Sequence, residues 1–190
     1  LVKSPDAGCF FESLLRTLYP QRASYAPSNV EQIRHMIVFH ALFHPTSYMD
    51  LAFRLIEDMP TPYFSTAEHT QSDLKRQELQ IYSSVMLRYL KPTRWADAFI
   101  LNVAAKTFNT AIRLIIYRDG FDSPDPECML YNEAAKGQRV ITMVYLLNQH
   151  YAPVLSNTIN APVPPLSAEQ LTLDHWAEFF SENMGLMSTF

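Results

Sequence analysis

Cysteine is scarce in this 190-residue chain, which holds only Cys9 and Cys128. Two are too few for a disulfide framework, so the expected setting is a reducing compartment, where a reactive thiol survives. A basic excess is missing too. The 15 Lys and Arg are outnumbered by 19 Asp and Glu, for a formal net charge of −4, which argues against nucleic acid as the main partner. No apolar run approaches the roughly 20 residues that span a bilayer, no secretory leader is visible, and no membrane contact is expected. The chain begins at Leu1 rather than Met and is expected to be an excised or trimmed domain. Internal repeats and low-complexity tracts are lacking as well. What is present is a 48% hydrophobic chain, enough for a sizeable core in one domain.

The first half reads as helices. Phe10, Leu14, Leu15 and Leu18 share one helical face, ended by Pro20. Ser28 or Asn29 is placed to cap a second helix running to about His44, stopped by Pro45. "SYMDLAFRLIEDM" predicts a third, capped by Thr46 or Ser47 and closed before Pro60. Residues 60–70 read as a loop. A fourth helix is predicted from Gln71 to about Leu90, with Tyr82, Val85, Met86 and Tyr89 on its apolar face. "RWADAFILNVAAKTF" predicts a fifth, anchored by Trp95, Phe99, Val103 and Phe108.

The period then changes. "AIRLIIY", "CMLYN", "RVITMVYLL" and "HYAPVLS" read as strands. Asn148-Gln149 forms the tight connection between the last two, and Pro153 sends the final strand to an edge. "APVPPL" is a stiff linker. A last helix begins at a Ser167-Ala-Glu-Gln capping box and carries Leu173, Trp176, Phe180 and Met184 on one face. The expected class is α+β, with helices flanking a small, mostly antiparallel central sheet.

Cys9 opens a helix. There the unpaired backbone N–H groups and the dipole favour a thiolate, and the same groups can hold an oxyanion. A nucleophilic cysteine also needs a base. His150, at the end of a predicted hairpin beside Tyr151, is the best placed of six histidines. An early Cys followed by a late His is the chain order of papain-like thiol enzymes.

Three blocks carry a resemblance to a known family. "DAGCFFESLLRTLY" resembles the Asp-Gly-Asn-Cys-Leu-Phe opening of the ovarian-tumour (OTU) cysteine proteases. "WADAFILNVAAKTFNTAIRLIIY" is similar to their aromatic-led helix and strand, and "VYLLNQHYAPV" to their strand, turn and His-Tyr. The blocks cover most of residues 6 to 155, in order. The resemblance implies an OTU-like catalytic domain over residues 1–158. Residues 159–190 then supply the proline-rich linker and a helix packed on the same domain. It implies a deubiquitinase that hydrolyses isopeptide bonds at the C-terminal glycine of ubiquitin through a thioester. Cys9 is then the nucleophile, His150 the general base, and Asp6 the loop aspartate that shapes the oxyanion hole. Trp95 and Tyr151 match structural aromatics near the site. Ubiquitin or polyubiquitin is the implied partner, with its apolar patch docking on the helices between residues 28 and 90. No cofactor is called for, a monomer is expected, and the setting is the cytoplasm, or a host cytosol for a bacterial effector or viral protein.

The pattern also departs from the family's. Ala7 and Gly8 replace the usual Gly-Asn pair before the cysteine, and Ala152 stands where an Asp or Asn usually completes the triad. Asp6 and Asn148 are equal candidates to orient His150, and residues before Leu1 are a further source. A catalytically silent ubiquitin-binding module, or a protease acting on another ubiquitin-like modifier, is the alternative. Bland readings stand beside these. Free cysteines are often buried in cores, the bland reading of Cys9, and Cys128 reads as structural or incidental. His40 and His44 have i, i+4 spacing but no evident third metal ligand, so His44 is expected to serve a helix C-terminus instead. The Trp176, Phe179 and Phe180 surface is a second, weaker candidate for a partner contact.

Overall fold

The change of hydrophobic period near residue 110 marks the passage from helix to sheet. The computed structural model describes residues 8–19, 27–62, 71–118, 126–133, 140–146 and 150–154. The helices are α1 (Cys9–Leu18), α2 (Pro27–Phe43), α3 (Pro45–Leu55), α4 (Gln71–Arg88) and α5 (Ala98–Thr107). The strands are β1 (Ala111–Tyr117), β2 (Glu127–Tyr131), β3 (Val140–Leu146) and β4 (His150–Val154). The class is α+β, as expected. The linker and helix expected over residues 159–190 lie outside the described residues.

The sheet order is β2-β1-β3-β4. The two outer pairings are antiparallel and the central one, β1 with β3, is parallel. β4 is an edge strand, so Pro153, which has no N–H, interrupts no ladder that must continue beyond it. Alternation assigns the faces. Ile112, Leu114 and Ile116 of β1 and Ile141 and Met143 of β3 are buried, while Arg113, Ile115, Thr142 and Val144 are less so. The buried face joins the core built by Phe10, Phe11, Leu14, Ile37, Tyr82, Tyr89 and Phe99 from the helices. Each large apolar side chain withdrawn this fully contributes about 1.5–3 kcal/mol.

Helix starts differ from expectation at three places. α2 begins at Pro27, so Ser28 and Asn29 lie in its first turn rather than before it. Pro45 does end α2 but also opens α3 as its first residue, where a missing N–H costs nothing, and His44 becomes the N-cap. Thr46 and Ser47 are therefore inside that helix. α5 starts at Ala98 because Asp97 caps it, accepting from the Ile100 amide at 3.0 Å. Trp95 consequently precedes the helix and is 46% exposed, so it does not anchor the core.

Two polar residues hold the layers. Arg34 is buried on α2 and donates to the carbonyls of Tyr89 (3.1 Å), Arg94 (2.9 Å) and Pro92 (3.3 Å). Its guanidinium also lies 4.1 Å from the Phe11 ring centroid, which fastens α1, α2 and the turn after α4 together. Asn132 takes the left-handed conformation (φ 53°) and donates to the carbonyls of Ala105 and Thr110, both at 3.2 Å, tying the end of β2 to the end of α5.

Candidate active site

The site forms where the start of α1 meets the start of β4. Cys9 is the first residue of α1, after the N-cap Gly8, and among the described residues no side chain caps the helix. Its first-turn amides therefore lack helical partners. Phe10, Leu14, Leu15 and Leu18 pack the helix into the core as its spacing predicts, and Phe11 is buried with them. Its polar edge lies along β4.

An edge strand presents alternate N–H and C=O groups to whatever lies beside it, and these need partners when buried. At Tyr151 the partners come from α1. Ser13 Oγ donates to the Tyr151 carbonyl at 3.1 Å, and the Tyr151 amide faces the Cys9 thiol. Cys9 and Ser13 are one helical turn apart, so they reach both main-chain groups of one residue. Tyr151 is fixed at its far end too. Its hydroxyl donates to the Ala96 carbonyl at 3.2 Å, and its ring meets Phe10 edge-on at 5.3 Å and stacks on Tyr145 at 4.5 Å.

This arrangement brings Cys9 and His150 into one neighbourhood. His150 opens β4, opposite Leu146 of β3, and the peptide it shares with Tyr151 is the one whose amide faces the thiol. The imidazole is half-buried, and its Nδ1 is buried with no hydrogen-bond partner among the described residues. Asp6 and Asn148, the two residues expected to orient it, lie outside the described residues, as does Ala7. Ala152 sits opposite Val144 and offers no hydrogen-bonding side chain.

The helix start was expected to lower the Cys9 pKa, and the net effect is the reverse. Cys9 is only 3% exposed, and burial pushes its thiol above the usual range. The amides of Tyr151, Phe10 and Cys9 itself pull it back, and the nearby Glu12 carboxylate adds to the rise. Desolvation outweighs the dipole because it acts on the whole thiolate, whereas the dipole of a helix end acts with about half a charge.

Trp95 stands two residues before the N-cap of α5. It lines a cavity of about 600 Å³ together with Leu55, Glu57, Asp58, Arg94 and Asp97. Arg94 bridges to Asp58 there at 2.6 and 3.0 Å, and the Tyr89 hydroxyl donates to Asp97. The Ala96 carbonyl links this segment to Tyr151. The His40 and His44 rings are 4.7 Å apart, and His40 Nε2 meets the Tyr48 hydroxyl at 3.0 Å. Burial, with charge at His44 and Lys106, lowers the His40 pKa. Among the described residues, no group of three or more His, Cys, Asp or Glu is placed to hold a metal. Also among them, no helix is long and apolar enough to cross a membrane.

Ser13 is the site-building residue that sequence patterning passes over. The signal is faint but physical: a small polar residue one turn after Cys9, between the apolar pairs Phe10-Phe11 and Leu14-Leu15.

No family model and no curated protein matches the sequence. Solved structures do resemble the fold. The OTU domain of OTUD1 aligns with a TM-score of 0.54 at 18% identity, over 82% of this chain and 84% of that one. The viral OTU domain protease from Dera Ghazi Khan virus aligns with a TM-score of 0.51 at 14% identity, over 81% of this chain and 80% of that one. An ovarian tumor (OTU) domain in complex with ubiquitin aligns with a TM-score of 0.50 at 15% identity, over 96% of this chain and 86% of that one. At this sequence distance the likeness is one of fold, and the fold of this chain is that of the OTU domains.

Proposed function

We propose that the protein is a deubiquitinase that hydrolyses isopeptide bonds at the C-terminal glycine of ubiquitin, with Cys9 as nucleophile and His150 as general base. The observation that carries this reading is the contact of the His150–Tyr151 peptide with the thiol that opens α1, within an OTU fold. One solved neighbour holds ubiquitin, which supports ubiquitin as the partner.

The raised Cys9 pKa gives the base its task. The resting thiol keeps its proton, so His150 removes it as the sulfur attacks the glycine carbonyl. The Cys9 amide, at the start of α1, stabilises the oxyanion. On collapse of the tetrahedral intermediate, His150 returns the proton to the departing lysine amine and a thioester remains. Water, deprotonated by the same imidazole, hydrolyses it. The orphaned His150 Nδ1 calls for a partner to hold the ring, a role for Asp6 or Asn148. The protein acts as a monomer in the cytoplasm on this reading.

The test is diubiquitin cleavage. Wild-type protein releases monoubiquitin and Cys9→Ala protein does not. Cleavage by the Cys9→Ala protein at the wild-type rate would overturn the assignment. Tight ubiquitin binding without cleavage by the wild type would favour a silent binding module instead.

A further inference from the structure

The weak point of any Cys-His centre divided between a helix and an edge strand is the seam between them. Here His150 stands at the first position of β4, the outermost strand of the sheet. Its strand meets β3 on one side only, and the helix bearing the thiol lies on the other. The separation of sulfur and imidazole therefore depends on what fixes β4 against α1.

We propose that Ser13 is a positioning residue for the thiol centre, holding the His150 strand in register with Cys9 through the Tyr151 main chain. Ser13 is buried, and its hydroxyl donates across the seam to a residue 138 positions away in sequence. Its partner is the carbonyl of the residue whose amide faces the Cys9 sulfur. Cys9 and Ser13, one turn apart, thus grip opposite ends of one strand residue. A slip of β4 along α1 breaks both contacts together. The Ser13 carbonyl in turn accepts from Thr17 Oγ at 2.8 Å, which continues the polar edge of α1.

The other described side-chain contacts of Tyr151 act on its ring. The Tyr151 hydroxyl bonds to Ala96, which fixes the ring but not the register along α1. Phe10 touches the same ring without direction finer than its packing. The Ser13 hydroxyl and the Cys9 thiol face the main chain itself, and so bear on where the His150–Tyr151 peptide stands relative to the helix start.

The inference rests on the proposed thiol chemistry, and the experiment separates the two. Ser13→Ala and Ser13→Thr proteins are compared with wild type. Alanine is the better helix former, so the helix itself is not weakened. One arm needs no ubiquitin: the rate of Cys9 alkylation by iodoacetamide is followed against pH. Among the described residues, Glu12 on α1 and Tyr151 on β4 are the titratable groups that act on the sulfur, His150 is the neighbour of Tyr151, and all are common to the three proteins. With the Tyr151 amide no longer held to the sulfur, the Ser13→Ala midpoint rises above that of wild type. The second arm is steady-state turnover of a ubiquitin C-terminal fluorogenic amide. Ser13→Ala lowers kcat about tenfold or more while KM stays within twofold, because misplacement of reacting groups acts on the barrier and not on docking. Ser13→Thr, which keeps the hydroxyl, recovers most of both effects. An unmoved alkylation midpoint with unchanged kcat in Ser13→Ala overturns the proposal. So does a loss that Ser13→Thr shares in full. A wild type that turns over no ubiquitin substrate, yet shows the shifted midpoint in Ser13→Ala, overturns the deubiquitinase reading and leaves the positioning role standing.

Discussion

The two edges of the sheet each carry a cysteine, and they differ in almost every other respect. At the β4 edge, α1 covers the strand, Tyr151 is bonded at both ends, and Cys9 is buried with three amides around its sulfur. At the β2 edge, Glu127, Cys128 and Met129 are exposed, and an ion pair between Arg118 and Glu127 at 2.6 Å stands in solvent. Charged residues on an open strand discourage pairing with other chains and add little stability. Cys128 is the more accessible thiol and Cys9 the better-surrounded one. The contrast separates exposure from surroundings: the open edge leaves a thiol accessible, whereas the β4 edge sets a thiol beside main-chain amides and next to the strand that His150 opens. On the proposed chemistry the surroundings, and not the exposure, select the nucleophile.

Four experiments sharpen that contrast. The largest effect is expected from the two thiols themselves. Cys9→Ala removes isopeptide cleavage by three orders of magnitude or more, on the order of a nucleophile deletion. Cys128→Ala stays within about twofold of wild type. Next, His150→Ala lowers the cleavage rate by about 10²–10⁴, the usual contribution of a general base, with ubiquitin affinity unchanged by calorimetry. Third, the edges differ in stability. Leu14→Ala, in the helix that covers β4, costs about 2–5 kcal/mol in denaturant titration, whereas Met129→Ala at the open edge costs less than about 1 kcal/mol. The smallest effect is alkaline. Burial raises the Tyr151 pKa above the ordinary tyrosine value of 10.0, and does the same to Tyr82 and Tyr89. A phenol with its folded pKa raised stabilises the fold below its unfolded pKa. That stability is lost as pH rises from about 10 through the folded value. Melting temperature therefore falls above pH ~10. Tyr151→Phe is less stable at pH 7 by about 0.5–1.5 kcal/mol, through loss of the Ala96 bond, but falls less steeply at high pH.

Much of this was legible in the sequence. Among the described residues, apolar spacing locates the helices, β-branched runs locate β1 and β3, and flanking turn residues bound β2 and β4, because burial periodicity reports the local geometry directly. What patterning misses depends on distant partners. β1 and β3 carry nothing that announces a parallel pairing, since register is chosen between strands and not within one. Pro45 reads as a stop, yet a proline equally suits the first residue of the next helix. Trp95 looks like an anchor until Asp97 caps α5 and leaves it outside. The flanking motifs single out Cys9 and His150, and the structure places them at the starts of α1 and β4. The balance of forces on the thiol was not legible, because desolvation depends on the packed neighbours. Ser13 shows the same limit, since its role exists only once β4 lies along α1.

The central claim is that Cys9, and not the exposed Cys128, is the reactive thiol toward ubiquitin. Incubation with ubiquitin bearing a C-terminal electrophile, followed by peptide mass spectrometry, tests it most directly. The account predicts one ubiquitin per chain, attached to the peptide containing Cys9 and absent from Cys9→Ala protein. Attachment at Cys128, or no adduct at all on protein that binds ubiquitin, would contradict it.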